Sequence, residues 1–199
     1  MKRLLNVGGN SRLIPLPAQY AGYEHLLLDI DPASAADIVC DARQLSRLEA
    51  AQFDAVYCAH NLEHYHRHEV PVVLAGFLHV LRNGGSAEIR VPDLAAVMGA
   101  VVGGNLDVED VLYHSVSGPI TVLDVIYGFG IEIERSGKDY FAHKTGFTQA
   151  SLMRVLQRAG FSTIYSDCGQ LEVVALAFKG PPPPDGSRSS LWSELQRHR

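Results

Sequence analysis

A chain of 199 residues is long enough to bury one substantial core and short for two, and its 47% hydrophobic and 20% charged composition is that of a folded domain, not a disordered segment. A formal charge of −5 without any long lysine or arginine run excludes the electrostatic footprint on which binding to nucleic acid or to an anionic membrane depends. Cys40, Cys58 and Cys168 are an odd, widely spaced set with no C-x-x-C pair, which suggests neither a disulfide framework nor a cysteine-rich zinc site and leaves buried thiols as the expectation.

The segment Met1 to Gly8 carries two positive charges but too short an apolar run for a signal-peptide core. No apolar stretch approaches the ~20 residues that span a bilayer, so a soluble, cytoplasmic protein is expected. Short, nearly continuous apolar runs at Arg3 to Val7, His25 to Asp29, Asp37 to Cys40 and Phe53 to Ala59 read as parallel strands covered on both faces. From Glu69 to Arg82 the residues Val70, Val73, Leu74, Phe77, Leu78 and Leu81 recur at helical spacing, and Asn83-Gly84-Gly85 reads as the stop. A further strand is expected at Ser86 to Val91.

Residues 93–147 break this rhythm, with two helix-like pieces and the glycine-rich Tyr127-Gly128-Phe129-Gly130; they read as a lid or substrate-side insertion. Thr148 is a good N-cap for a helix that places Leu152, Val155, Leu156 and Ala159 on one face and ends at Gly160. Phe161 to Ser166 and Leu171 to Phe178 read as an antiparallel hairpin turning at Asp167-Cys168-Gly169-Gln170. Strand, turn and helix in alternation give an α/β fold with right-handed crossovers, one domain over residues 1–180. Pro181 to Pro184 supply no backbone donors and read as an extended spacer, so residues 181–199, with Trp192, are expected to be a tail that allows a homodimer without requiring one.

Gly8 and Gly9 follow the first strand, where glycine permits φ > 0 and close approach of a ligand. Asp29 comes 21 positions after Gly8 at the end of the second strand, where a carboxylate can accept both hydroxyls of an adenosine ribose. The full G-x-G-x-x-G turn that a dinucleotide pyrophosphate needs is absent: Gly8-Gly9-Asn10-Ser11-Arg12 runs on to Pro15 and Pro17. S-adenosylmethionine, which carries no phosphate, is the less demanding fit. Asp41 reads either as a partner for the adenine amino group or as the N-cap of a segment from Ala42.

The segments LLNVGGNSR, LLLDIDP, DIVCDARQL, FDAVYCAHNLEHYHRHEV, FLHVLRNGGSAEIRVPDL and HKTGFTQASLMRVLQRAGF occur in this order over most of residues 3–178. Together they resemble the small class I S-adenosylmethionine-dependent methyltransferases. The resemblance implies a Rossmann-like, doubly wound seven-stranded sheet of order 3-2-1-4-5-7-6 with the last strand antiparallel, and a cofactor over the carboxyl ends of the strands. By position it implies that Asn6, Gly8 and Gly9 line the cofactor loop, that Asp29 holds the ribose and Asp41 with Ala42 the adenine edge, and that His60 and Asn61 flank the methionine moiety. The second glycine of the family loop is Asn10 here, whose side chain takes space near the cofactor.

His60-x-x-Glu63-His64 formally matches the inverted zinc-protease motif, but it sits just after a strand in the segment resembling the family's xHVLEHx, so Leu62 is expected to be buried and Glu63-His64 to brace the next helix, with no metal. Methyl transfer from a sulfonium is mainly a matter of alignment, and a hydroxyl acceptor adds the need for a base. His60 and His143 are the catalytic candidates, and Tyr127, Tyr140 and Phe141 are candidates for the acceptor pocket. The expected function is methyl transfer to a small molecule, with no nucleic-acid or membrane partner. The alternatives are a scaffold that keeps the fold without catalysis and, behind it, a metal-dependent hydrolase working through the histidine run.

Overall fold

The computed structural model describes residues 1–9, 11–115 and 118–182. The expectations for Asn10 and, beyond Pro182, for the proline-rich spacer and Trp192 fall outside them.

In chain order the elements are β1 (Arg3–Val7), β2 (Glu24–Asp29), β3 (Ile38–Val39), β4 (Phe53–Ala59), α1 (Val70–Val80), β5 (Leu81–Pro92), α2 (Leu94–Gly104), β6 (Val111–Ser115), β7 (Gly118–Thr121), α3 (Val122–Tyr127), α4 (Gly130–Ser136), α5 (Gln149–Ala159), β8 (Thr163–Gly169) and β9 (Glu172–Phe178). Seven strands form one sheet, β3-β2-β1-β4-β5-β9-β8, and β6 pairs only with β7. β1 to β5 are parallel and β9 is antiparallel to both its neighbours. Counting the sheet's own strands, this is the order 3-2-1-4-5-7-6 with the last strand antiparallel.

Alternation along the strands divides the sheet into two faces. Leu5, Val7, Leu28, Val56, Cys58, Ala87, Ile89 and Val91 pack against α1, α5 and the 3-10 segment Ala42–Arg47 to form the main core. The opposite face holds two smaller clusters. Leu4 and Ala55 lie under Tyr20, with Leu16 and Tyr23 at their edge, and Val174, Leu176 and Phe178 pack with Tyr165. The β1–β2 connection holds one 3-10 turn, Ala18–Tyr20, and no α-helix among its described residues. Pro15 and Pro17 explain this, since neither can donate into a helical ladder. Its Tyr20 hydroxyl and Gln19 amide each donate at 2.8 Å to Glu88, a carboxylate in mid-sheet that is fully buried.

Three boundaries differ from the sequence reading. α1 stops at Val80, because Leu81 is already extended and pairs with Phe53. Asn83-Gly84-Gly85 is therefore not a helix stop but an excursion within β5, which rejoins the sheet at Ser86 opposite Ala55. The final turn lies at Gln170 and Leu171, not at Asp167 to Gln170: both have positive φ, 46° and 67°, and Gly169 pairs directly with Glu172. α5 is as expected, with Thr148 and Ser151 capping each other and Gly160 at φ 105° ending it.

Residues 93–147 hold more structure than two helical pieces: besides α4, they hold α2, the β6–β7 hairpin and α3, which share a small core of Val97, Val122 and Val125, against which Leu171 packs. Gly128, between α3 and α4, has φ 100° and lies against the backbone of Phe141. No helix among the described residues is long and apolar enough to cross a membrane.

Candidate functional site

The parallel strands end in loops on one edge of the sheet, and two cavities open there. The smaller, about 220 Å³, is lined by Gly8 after β1, Asp29 at the end of β2, His60 and Asn61 after β4, Arg43, and Tyr140 from the insertion. The Asp29 carboxylate accepts the Asp31 amide at 2.7 Å, which fixes it at the cavity rim, and burial pushes its pKa up. The Asn61 carbonyl oxygen Oδ1 is buried and has no hydrogen-bond partner. An orphaned acceptor of this kind beside a carboxylate is suited to a polar ligand.

The larger cavity, about 770 Å³, lies over the ends of β4, β5 and β9 and is roofed by the insertion through Tyr113, Ile120, Val125 and Phe129. His60 lines both cavities. It holds φ 48°, a left-handed conformation uncommon outside glycine, at the point where β4 leaves the sheet. Its amide donates to the Arg90 carbonyl at 2.9 Å, and its ring Nε2 lies 2.9 Å from Glu172 Oε1. Arg90 bridges Glu172, at 3.2 Å, and Glu88, at 2.8 Å. A line of alternating charge thus crosses the sheet from Glu88 through Arg90 and Glu172 to His60.

On the other side of His60, Nδ1 stands 3.6 Å from Oε1 of Glu63, too far for a hydrogen bond. Glu63 is 1% exposed and neither of its carboxylate oxygens has a hydrogen-bond partner. Backbone bonds from Lys144 and Thr145 to the Glu63 carbonyl, at 2.8 and 3.1 Å, bring His143 beside it, with Nε2 4.0 Å from Oε1. His143 Nδ1 donates to the Val125 carbonyl at 2.9 Å and His64 Nδ1 to the Ala142 carbonyl at 3.1 Å. The two rings meet edge to face with centroids 4.8 Å apart.

These surroundings give the histidines different charges. Burial disfavours the imidazolium of His60, but Glu172 and Glu63 outweigh it and push its pKa up to about 10. His60 is therefore protonated at neutral pH and donates to Glu172. Burial lowers the pKa of His143, which stays neutral with its Nε2 lone pair available. Burial would also keep Glu63 protonated, yet the neighbouring imidazoles, His60 first, bring its pKa below the usual range.

Of the residues expected in the cofactor site, the structure brings Gly8, Asp29, His60 and Asn61 together. It places the others elsewhere. The Asn6 side chain contacts His25 at 3.3 Å, and a β-carbon on Gly9 would meet Asn6 and Leu27. Asp41 caps the 3-10 segment and both its carboxylate oxygens are taken by Arg43, and Ala42 is in the core. Tyr140 and Phe141 line the smaller cavity instead of the larger, and Tyr127 is 63% exposed and lines neither. Sequence reasoning missed Arg90 and Glu172. Glu172 is 112 residues from His60, and only the strand pairing of β5 with β9 makes them neighbours.

Residues 5–89 match the family model described as a methyltransferase domain. Among solved structures the chain is similar to a SAM-dependent methyltransferase from Archaeoglobus fulgidus (15% identity, TM-score 0.57, covering 89% of this chain and 86% of that one). It is also similar to an O-methyltransferase family protein from Burkholderia thailandensis (11%, 0.57, 92% and 52%). A third similar structure is the 1,6-didemethyltoxoflavin-N1-methyltransferase of Burkholderia thailandensis with bound 1,6-didemethyltoxoflavin and S-adenosylhomocysteine (16%, 0.50, 90% and 72%). No curated protein is significantly similar in sequence. The chain thus shares the fold of these methyltransferases, and its residues 5–89 match the methyltransferase-domain model.

Proposed function

We propose that the chain transfers the methyl group of S-adenosylmethionine to a small-molecule acceptor, with the cofactor in the smaller cavity and the acceptor in the larger. The observation that carries this reading is that two cavities of different character meet at one residue, His60, at the carboxyl ends of the parallel strands. Ligands of open α/β sheets bind at that edge.

The residues present fit the cofactor. The Asp29 carboxylate is placed for the ribose hydroxyls, and the orphaned Asn61 oxygen offers an acceptor to the ammonium group of the methionine moiety. At about 220 Å³ the smaller cavity is below the ~300–1,000 Å³ usual for ligand pockets, so this reading requires it to widen on binding. The larger cavity is within that range.

When bound, S-adenosylmethionine supplies a methyl group on a sulfonium, which leaves as a neutral thioether without needing a proton. The chain's own part is to align and to manage charge. The acceptor lies between Phe129, Val125 and the His60–Glu172 pair. His143, neutral and directed by its bond to Val125, is the nitrogen able to take a proton from an acceptor hydroxyl; protonated His60 is not.

Calorimetric titration with S-adenosylhomocysteine tests the assignment. Wild type is expected to bind in the micromolar range, and Asp29→Asn to bind about tenfold to a hundredfold more weakly through loss of charged hydrogen bonds. A folded wild-type chain, free of bound nucleoside, that takes up none would leave the scaffold reading in its place.

A further inference from the structure

Glu63, His64 and His143 converge. Each offers a ligand atom, and these atoms all lie within 4.8 Å of one another. Two ligands ~2.1 Å from one ion at a tetrahedral angle stand ~3.4 Å apart. The 4.0 Å between Glu63 Oε1 and His143 Nε2 is about 0.6 Å longer than that span, so the side chains would draw together on an ion.

Three features mark these groups as more than neighbours. A carbonyl oxygen can only accept, so the bonds to Val125 and Ala142 fix the proton on Nδ1 of both His143 and His64 and leave Nε2 as the lone pair each ring has to offer. Metal-ligating histidines are held in this way, by donation of the other ring N–H to a carbonyl or carboxylate. Glu63 is almost fully buried, and both oxygens lack a hydrogen bond, a state that costs several kcal/mol unless a cation answers it. The backbone bonds from Lys144 and Thr145 to Glu63 set this geometry from two distant parts of the chain, independent of any ligand.

We propose that Glu63, His64 and His143 form a binding site for a divalent transition-metal ion, a two-histidine, one-carboxylate set in the wall between the two cavities. Nitrogen and carboxylate donors of this kind suit zinc, iron or manganese better than magnesium or calcium. His60, whose Nδ1 stands 3.6 Å from Glu63 Oε1, is a further imidazole beside the cluster. Glu63 and His143 face the larger cavity, so the ion's open positions are directed there and take an oxygen donor of the bound molecule. That role for the ion rests on the acceptor assignment above, whereas the site does not. With an ion in place the His143 lone pair would be a ligand and would not be available as a base.

The full chain, stripped with a chelator and titrated with Co²⁺ and Zn²⁺ in the absence of nucleoside, tests the site directly. One equivalent of Co²⁺ is expected to bind, with visible absorption bands of a nitrogen- and oxygen-ligated ion that Zn²⁺ abolishes. Glu63→Gln, which keeps the shape of the side chain, and His143→Ala are expected to weaken binding by more than the ~10–100-fold that loss of a supporting partner costs. His66→Ala, at a histidine stacked on His68 away from the cluster, leaves it unchanged. No stoichiometric uptake by wild type overturns the proposal whatever the variants do. So does uptake that follows His66 in place of Glu63 in a folded Glu63→Gln protein. Because no nucleoside is present, failure here leaves the cofactor assignment standing, and failure of nucleoside binding leaves this site standing.

Discussion

Asn61 lies over Gly8 so closely that its carboxamide occupies the space a β-carbon on Gly8 would need. Gly8 also holds φ 78°, a conformation costly for any residue with a side chain. The loop after β1 and the loop after β4 are therefore fitted to each other, and the lack of a side chain at position 8 makes room for Asn61. Gly8→Ala is expected to lose about 1–3 kcal/mol of stability and to displace Asn61. Urea denaturation, with nucleoside titration on the same sample, measures both effects. An alanine variant as stable as wild type would show that the two loops are not coupled.

The β8–β9 turn stores strain at Gln170 and Leu171, where a two-residue turn with positive φ favours asparagine and glycine. Leu171 cannot be exchanged freely, because it packs on the core of the insertion. Gln170→Asn keeps that contact and is expected to raise stability by about 0.5 kcal/mol. Leu171→Gly is expected to lower it despite relieving strain, since the packing lost outweighs the backbone gain. Thermal unfolding of the two variants distinguishes a turn that is strained for packing from one that is merely tolerated.

Asp37 ties β2 to the chain that follows β1. Its carboxylate accepts the Leu27 amide at 2.7 Å and the Arg12 guanidinium at 2.6 Å, and these partners, Leu27 first, hold its pKa below the usual range. A carboxylate whose folded pKa lies below its unfolded value of about 3.9 adds stability above that pH and loses it as the pH falls through the folded value. Wild type is expected to lose stability from this group as the pH falls below about 4, a loss tempered by solvent screening at the half-exposed Arg12. Asp37→Asn should be less stable at pH 7 and show a shallower decline in acid. Equal slopes for the two proteins would remove Asp37 from the account of acid stability.

What the sequence made legible follows from how local each signal is. Val70, Val73, Leu74 and Phe77 at helical spacing, and Thr148 with Gly160 at the two ends of α5, encode their structure within a few residues, and the structure repeats them. The ends of elements were less legible. α1 stops at Val80 because Leu81 is claimed by Phe53 in the next strand, a tertiary pairing that no helical spacing contains. The same holds for the site. Gly8 and Asn61 follow strands, Asp29 ends one, and all three were visible as strand-end residues. Glu172 and Arg90 were not, because their meeting with His60 depends on the register of β5 against β9. Asp41 was legible as both cap and ligand, and in the structure it caps the 3-10 segment with its carboxylate on Arg43.

The central claim is that cofactor and acceptor occupy separate cavities that meet at His60, and a crystal structure with S-adenosylhomocysteine tests it most directly. The account predicts both ribose hydroxyls on the Asp29 carboxylate, the amino-acid end beside Asn61, and the sulfur facing the wall at His60 that opens to the larger cavity. A nucleoside seated in the larger cavity, among Tyr113, Phe129 and Glu172 with Asp29 untouched, would contradict it.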